Sequence, residues 1–326
     1  MNHLLPIRLL ISSTGVSVRW MRFDISELTD PFFHQSIRRL RRLSPQLRFH
    51  DTSLSSLIES ARSLPRQQPA GLILHVSRCG STLLANSLRR GKNVVVLSEA
   101  SIFSALFRLE KITPSPFLGE YIDDLQRDLI DSVVSLYCHH AFGASTKLVL
   151  KAYAVSIMQI PLLRKIWPRI PIVILIRNPV EVVVSNMTKP AGWLRAVRKR
   201  EAAARGSVGS PRNTVEEDCA RGLGSFFTAA HRNFDSHCRV LDYNNLDVTR
   251  ICDVAEFFGI DLTDRERELI QQSRRFHAKD PRGSRPFEDD RATKQSVASE
   301  AIGAAVNKWA VSAYEILKIR EAWRVN

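Results

Sequence analysis

Short apolar runs, each closed by a small or charged residue, recur along most of the chain. Leu72–Val76, Val94–Leu97, Leu148–Leu150, Ile172–Ile176 and Arg239–Leu241 are too short for a helix core and read as strands. Helical stretches lie between them: Ser101–Glu110, about Leu118 to His140, Pro161–Trp167 and Glu216–Phe234. Apolar strands alternating with helices predict an α/β fold, a parallel sheet covered by helices on both faces. Upstream, Ile7–Ile11 and Val16–Phe23 flank Ser12-Ser13-Thr14-Gly15 and predict a hairpin. DPFFHQSIRRLRRL then sets Phe33, Ile37 and Leu40 on one helical face and Arg38, Arg39, Arg41 and Arg42 mostly on the other. That basic face is either a solvated surface or a contact for an anionic partner. Ser63 to Pro69 reads as a linker, so residues 1–66 are expected to form a small hairpin-and-helix appendage and 67–326 the main domain.

The stretch GLILHVSRCGSTLLANSL, Gly71 to Leu88, predicts a buried strand, a tight polar loop at Ser77–Gly80 and a helix opening at Ser81-Thr82. Such a loop aims backbone N–H groups and a helix dipole at one point, which suits phosphate or sulfate. It is not a Walker A loop, because no Lys follows Gly80; its cation is Arg78, which can grip such oxygens with two prongs. An ordinary strand-to-helix turn is the plain alternative.

In IVILIRNPVEVVVSNM, Asn178 suits an N-cap and Pro179 the first helical position. Arg177 closes the strand and Ser185 lies about two turns into the helix, a pair able to bracket a second phosphate. The plain alternative is a structural Arg–carboxylate pair and an incidental helical serine. Ser77–Gly80, Glu99, Lys151 and Arg177 all follow strands, at the rim where parallel sheets bind ligands.

Charge sharpens this picture: Lys plus Arg number 47 against 33 Asp plus Glu, a net +14 that favours anionic partners. The five cysteines are scattered, without CxxC spacing, a reduced cytoplasmic pattern with no zinc framework. Arg8 interrupts the short apolar N-terminal patch and no cleavage site follows, so no signal peptide is expected; no stretch approaches the length of a membrane span.

Taken together, VSRCGSTLL and IRNPVEVVVS resemble the two cofactor motifs of the PAPS-dependent sulfotransferase family, whose sulfonate donor is 3′-phosphoadenosine 5′-phosphosulfate. The resemblance covers roughly residues 70 to 326. It implies a P-loop-type sheet of the bacterial kind and an enzyme that moves a sulfonate to a hydroxyl or amine. It assigns the 5′-phosphosulfate to Arg78, Cys79, Gly80, Ser81 and Thr82, and the 3′-phosphate to Arg177 and Ser185. Arg78 stands where many members have lysine; it keeps the charge but not lysine's compact proton donor. HAKDPRGSRPFEDDRATK, His277 to Lys294, resembles the late loop that folds over the nucleotide, with Lys279, Arg282, Gly283 and Arg285 as candidates. VLDYNNL followed by VAEFFGIDL resembles the family's strand, tyrosine turn and helix, where Tyr243 would be structural. The resemblance also extends the role of general base to Glu99.

Lys151 could neutralise the transferring sulfonate or simply cap its strand. Cys79 sits where a thiol becomes acidic, although backbone geometry is the expected reason for it. His75 is expected to be packed and hydrogen-bonded, and His139-His140 lacks a spaced third metal ligand. Met187 to Asn213 reads as a mobile connection with a short basic helix at Trp193–Arg205 and serves as a candidate lid. Phe103 and Trp193 would help line a pocket for a small-molecule, lipid or glycan acceptor. A long amphipathic helix, Val297–Trp323, closes the chain. Two rival readings are an ATP-dependent phosphotransferase, disfavoured by the missing Gly-Lys-Ser/Thr, and a nucleic-acid-binding protein, for which no recognised motif is present.

Overall fold

A computed structural model describes residues 3–13, 15–112, 122–140, 146–203, 213–276, 278–280, 284–286, 288 and 290–321. Its centre is a five-stranded sheet formed by β4 (Gly71–His75), β5 (Val94–Ser98), β6 (Lys147–Lys151), β7 (Ile172–Ile176) and β8 (Cys238–Asp242), in the order β5-β6-β4-β7-β8. Every pairing is parallel. All five residues of β4 and of β7 are buried, which is why their sequences are apolar without alternation. The chain leaves β4 toward β5 on one side and later reaches β7 on the other. The carboxyl end of β4 is therefore the switch point where a crevice opens.

The N-terminal residues pair as an antiparallel sheet, β1 (His3–Ser12), β2 (Gly15–Phe23) and β3 (His50–Ser53). β3 and the helix after it, Leu54–Ala61, escape the sequence pattern. HDTS carries no apolar alternation and is held by pairing with β2 and by the Arg19–Asp51 ion pair at 2.7 Å. The appendage packs on the main core. The Tyr137 hydroxyl donates to the Pro6 carbonyl (3.0 Å), Ser101 to Ile7 (3.3 Å), and Leu5, Val18 and Met21 are fully buried.

Two helices break where the sequence predicts continuity. Ser101–Glu110 resolves into Ser101–Leu106 and Leu109–Ile112. The expected Val297–Trp323 helix becomes Glu300–Trp309 and Val311–Lys318, preceded by a separate short helix, Arg291–Ser296, and its last residues lie outside the described range. The break at Ala310 lets the Trp309 carbonyl settle onto Gly224 of helix Val215–Arg232, where a Cβ atom would stand 1.9 Å from that oxygen. Long-range packing, which local periodicity cannot report, decides this kink. The basic helix spans Gly192–Ala203. Among the described residues, no helix is long and apolar enough to cross a membrane.

Candidate functional site

Strand β4 runs straight into the loop singled out by the sequence. Ser77 (φ +76°), Arg78 (φ +52°) and Gly80 (φ +80°) are all left-handed, and Gly80 is the N-cap of helix Ser81–Leu88. Two non-glycine residues held in that region are costly, and such strain gathers at ligand clamps. Together with the first N–H groups of the helix, which have no partners within it, the loop forms a concave anion cradle. Gly80 is required: a Cβ there would lie 2.7 Å from both Tyr243 and Leu246.

His75 braces the loop from below. Its Nδ1 accepts from the Ser77 N–H (3.1 Å), which leaves the proton on Nε2, 3.0 Å from the Ala152 carbonyl. Burial, then Lys151, lowers its pKa, so the ring stays neutral and structural. Burial also pushes the Cys79 thiol up to about 11, so this cysteine contributes backbone geometry rather than a thiolate.

Beside the cradle, Glu99 and Lys151 end neighbouring strands. The Glu99 N–H donates to the Lys151 carbonyl (2.7 Å), and the Lys151 ammonium donates to Glu99 Oε1, which also lies 3.6 Å from His75 Nε2. Burial raises the Glu99 pKa, but Lys151 and His75 outweigh it and hold the carboxyl well below its usual range. Glu99 (φ +55°) is not a helix N-cap; Ala100 takes that position. Lys151 is only 1% exposed, with its ammonium 5.1 Å from the centre of the Phe32 ring, a residue of the appendage. Its charge is therefore directed at Glu99.

At the end of β7, Asn178 Oδ1 accepts from the Val180 N–H (2.9 Å) and Pro179 opens the helix, as the sequence predicts. Arg177 donates to Glu181 Oε2 (2.6 Å), Asp290 Oδ1 (3.0 Å) and the Arg78 carbonyl (3.2 Å), and its guanidinium lies 4.1 Å over the Tyr243 ring. The structural carboxylate pair and the position on the rim are thus both present. Burial lowers the Arg177 pKa, but Glu181 and Asp290 outweigh it and raise the group overall. Asp290 also pairs with Lys294 at 2.6 Å. Burial raises the Asp290 pKa, yet Lys294 and Arg177 hold it below its usual value.

Arg78, Cys79, Gly80, Ser81, Thr82, Arg177, Ser185 and Lys279 all line one cleft of about 160 Å³. Tyr243, Arg274, Phe276, Asp290 and Lys294 are also among its lining residues. Arg274 lies outside the sequence motifs that point to this site, and Lys294 is the last residue of the late-loop motif. Both lie in charged stretches whose composition does not distinguish them from other surface cations, and only the turn of the chain after helix Asp264–Ser273 brings them in. Of the late-loop candidates, Arg282 and Gly283 lie outside the described residues, and the Arg285 backbone N–H is bonded to Asp280 (2.8 Å). Lys279 keeps its surface in solvent. Partial desolvation and then the cations Arg78 and Lys151 lower its ammonium to about 8. Phe103 is buried next to Lys151 and Tyr153, whereas Trp193 packs over Gly222 and edge-on to Phe226 (5.1 Å).

No family model matches the chain, and no curated protein sequence does. Among solved structures, it is similar to a sulfotransferase from Alicyclobacillus acidocaldarius, at 16% identity over 76% of this chain and 99% of that one, with a TM-score of 0.39. It is also similar to sulfotransferase STF9 from Mycobacterium avium, at 11% identity over 79% and 81% of the two chains, with a TM-score of 0.43. A third likeness is to mouse sulfotransferase SULT7A1 complexed with PAP, at 13% identity over 83% and 89%, with a TM-score of 0.33.

Proposed function

We propose that the protein is a PAPS-dependent sulfotransferase that transfers a sulfonate to a hydroxyl or amine of a small-molecule, lipid or glycan acceptor. One observation carries this reading. The strained loop at Ser77–Gly80 and the Arg177–Ser185 corner line a single cleft, and Arg177 joins them through the Arg78 carbonyl. The donor set fits the nucleotide: a backbone cradle with Arg78 suits a 5′-phosphosulfate, while Arg177, Lys294 and the Ser185 hydroxyl suit a 3′-phosphate.

When bound, PAPS supplies an activated sulfonate and leaves as PAP. The loop N–H groups and Arg78 hold the anion and stabilise charge that develops on the bridging oxygen. Glu99 stays ionised at neutral pH, because Lys151 and His75 hold it so, and can accept the acceptor's proton. A weak base suffices here: the acceptor oxygen or nitrogen becomes acidic as its bond to sulfur forms, so the proton passes late. Lys151, turned toward Glu99, acts in this reading as a positioning residue. Phe32 and Phe103 shield the pair from water.

Calorimetry with PAP and with ATP-Mg²⁺ tests the reading. PAP is expected to bind with micromolar or tighter affinity and ATP-Mg²⁺ far more weakly; the reverse preference would point to the phosphotransferase. Glu99→Gln is expected to bind PAP normally while kcat falls by roughly 10²–10⁴. Full turnover in that variant would remove Glu99 as the base.

A further inference from the structure

His75 is the last residue of β4 and the one polar side chain in a fully buried, otherwise apolar strand. Burying an imidazole there is costly unless its ring nitrogens find partners, and both do. Nδ1 accepts from the Ser77 N–H (3.1 Å), the bond two residues on that an Asn side chain makes in an Asx turn. It thereby holds the left-handed Ser77 that opens the anion loop. Nε2 carries the proton and lies 3.0 Å from the Ala152 carbonyl and 3.6 Å from Glu99 Oε1.

Those contacts cross the sheet. β6 separates β4 from β5, whose end carries Glu99, so no strand pairing joins the anion loop to the carboxylate. The His75 ring spans the gap: one nitrogen fixes the loop, and the other reaches the backbone just past Lys151 and the carboxylate itself. The Lys151 ammonium also donates to Oε1, whereas among the described residues no hydrogen bond falls on Oε2. The carboxylate is held by one oxygen and offers the other. A brace for the loop would need only Nδ1 and any acceptor for the Nε2 proton; here that proton is set against the base. Neutral imidazole is the side chain that accepts on one edge and donates on the other within one rigid ring.

Resting on the transferase reading, we propose that His75 is a positioning residue for sulfonate transfer, holding the anion loop and Glu99 in fixed relation so that Oε2 faces the acceptor. The acceptor's O–H or N–H proton passes to Oε2 as its bond to sulfur forms. The bond from sulfur to the bridging phosphate oxygen breaks, and its electron pair leaves with PAP.

The test uses the full chain carrying His75→Asn or His75→Gln, since an Asn amide can stand in for Nδ1 and a Gln amide for Nε2. In His75→Asn, PAP affinity by calorimetry is expected to fall by less than about threefold, while label transfer from saturating ³⁵S-labelled PAPS to a metabolite extract slows by about tenfold. In His75→Gln the order is expected to reverse: PAP binding weakens by about fivefold to tenfold and the transfer rate falls less. In the wild-type chain, ¹⁵N NMR of labelled histidine is expected to show the Nε2–H tautomer for His75. Glu99→Gln should move its Nε2 resonance and PAP saturation its Nδ1 resonance, a measurement that needs no substitution of His75. Equal losses in both variants, no loss in either, an Nδ1–H tautomer or resonances that stay put would overturn the proposal and leave the transferase reading intact. PAP binding by the wild-type chain with no label transferred would overturn the transferase reading, and this inference with it.

Discussion

The two corners of the cleft that are proposed to bind anions are built by opposite means. The loop at Ser77–Gly80 is a backbone device. Its left-handed residues and helix N-terminus are fixed by chain geometry, and its cation Arg78 donates to a carbonyl, that of Lys189, rather than to a carboxylate. The Arg177 corner is a side-chain device, and it is already compensated by Glu181 and Asp290. The difference has a physical cause. Backbone N–H groups carry only partial charge and tolerate solvent between ligands, whereas a guanidinium that is 6% exposed needs a partner at all times. Of its two partners, Glu181 is 1% exposed, whereas Asp290 is 51% exposed. On the proposed reading, nucleotide binding would fill one corner and exchange anions at the other.

The sharpest way to break this comparison is Gly80→Val, which adds a side chain at φ +80° against Tyr243 and Leu246. PAP affinity is expected to fall by about a hundredfold or more, a loss of ~3 kcal/mol, in titration calorimetry. Near-normal binding would mean that the loop is not the cradle. Next, Arg177→Ala should weaken PAP by about tenfold to a hundredfold and, because Glu181 stays buried, destabilise the fold by about 3–5 kcal/mol in chemical denaturation. Unchanged stability would deny that the corner is a buried ion pair. Asp290→Asn should act in the opposite direction and tighten PAP several-fold, since the anion that competes for Arg177 and Lys294 is gone; weaker binding would show that Asp290 helps to build the site.

The smallest effect concerns pH. Lys279 has a lowered pKa of about 8, so its charge is present below that pH and lost above it. PAP affinity should therefore decline a few-fold between pH 7 and 9, and Lys279→Gln should flatten that profile. Glu99, held ionised well below neutrality, should impose no loss of turnover between pH 8 and 6.

Much of this was legible locally. β7 and its Asn178-Pro179 helix start carry their own instructions, because an unbroken apolar run, an N-cap and a helix-opening proline each act within a few residues. The Ser77–Thr82 loop was visible for the same reason. β3 was not, since its four mostly exposed residues are strand only because β2 pairs with them. The single C-terminal helix failed because its break answers Gly224, some 85 residues upstream. The contact of Trp193 with Gly222 could not be read from spacing either.

By itself, then, the sequence determined the alternation of strands and helices, the anion loop, and Arg177 at a strand end, because hydrophobic periodicity and backbone conformation are short-range properties. Only the tertiary structure decided that the two corners share a cleft, that Asp290 and Lys294 meet Arg177, and that Lys151 serves Glu99. Those relations join residues 52 to 117 positions apart, and they exist only once the sheet order β5-β6-β4-β7-β8 has brought their strand ends to one rim.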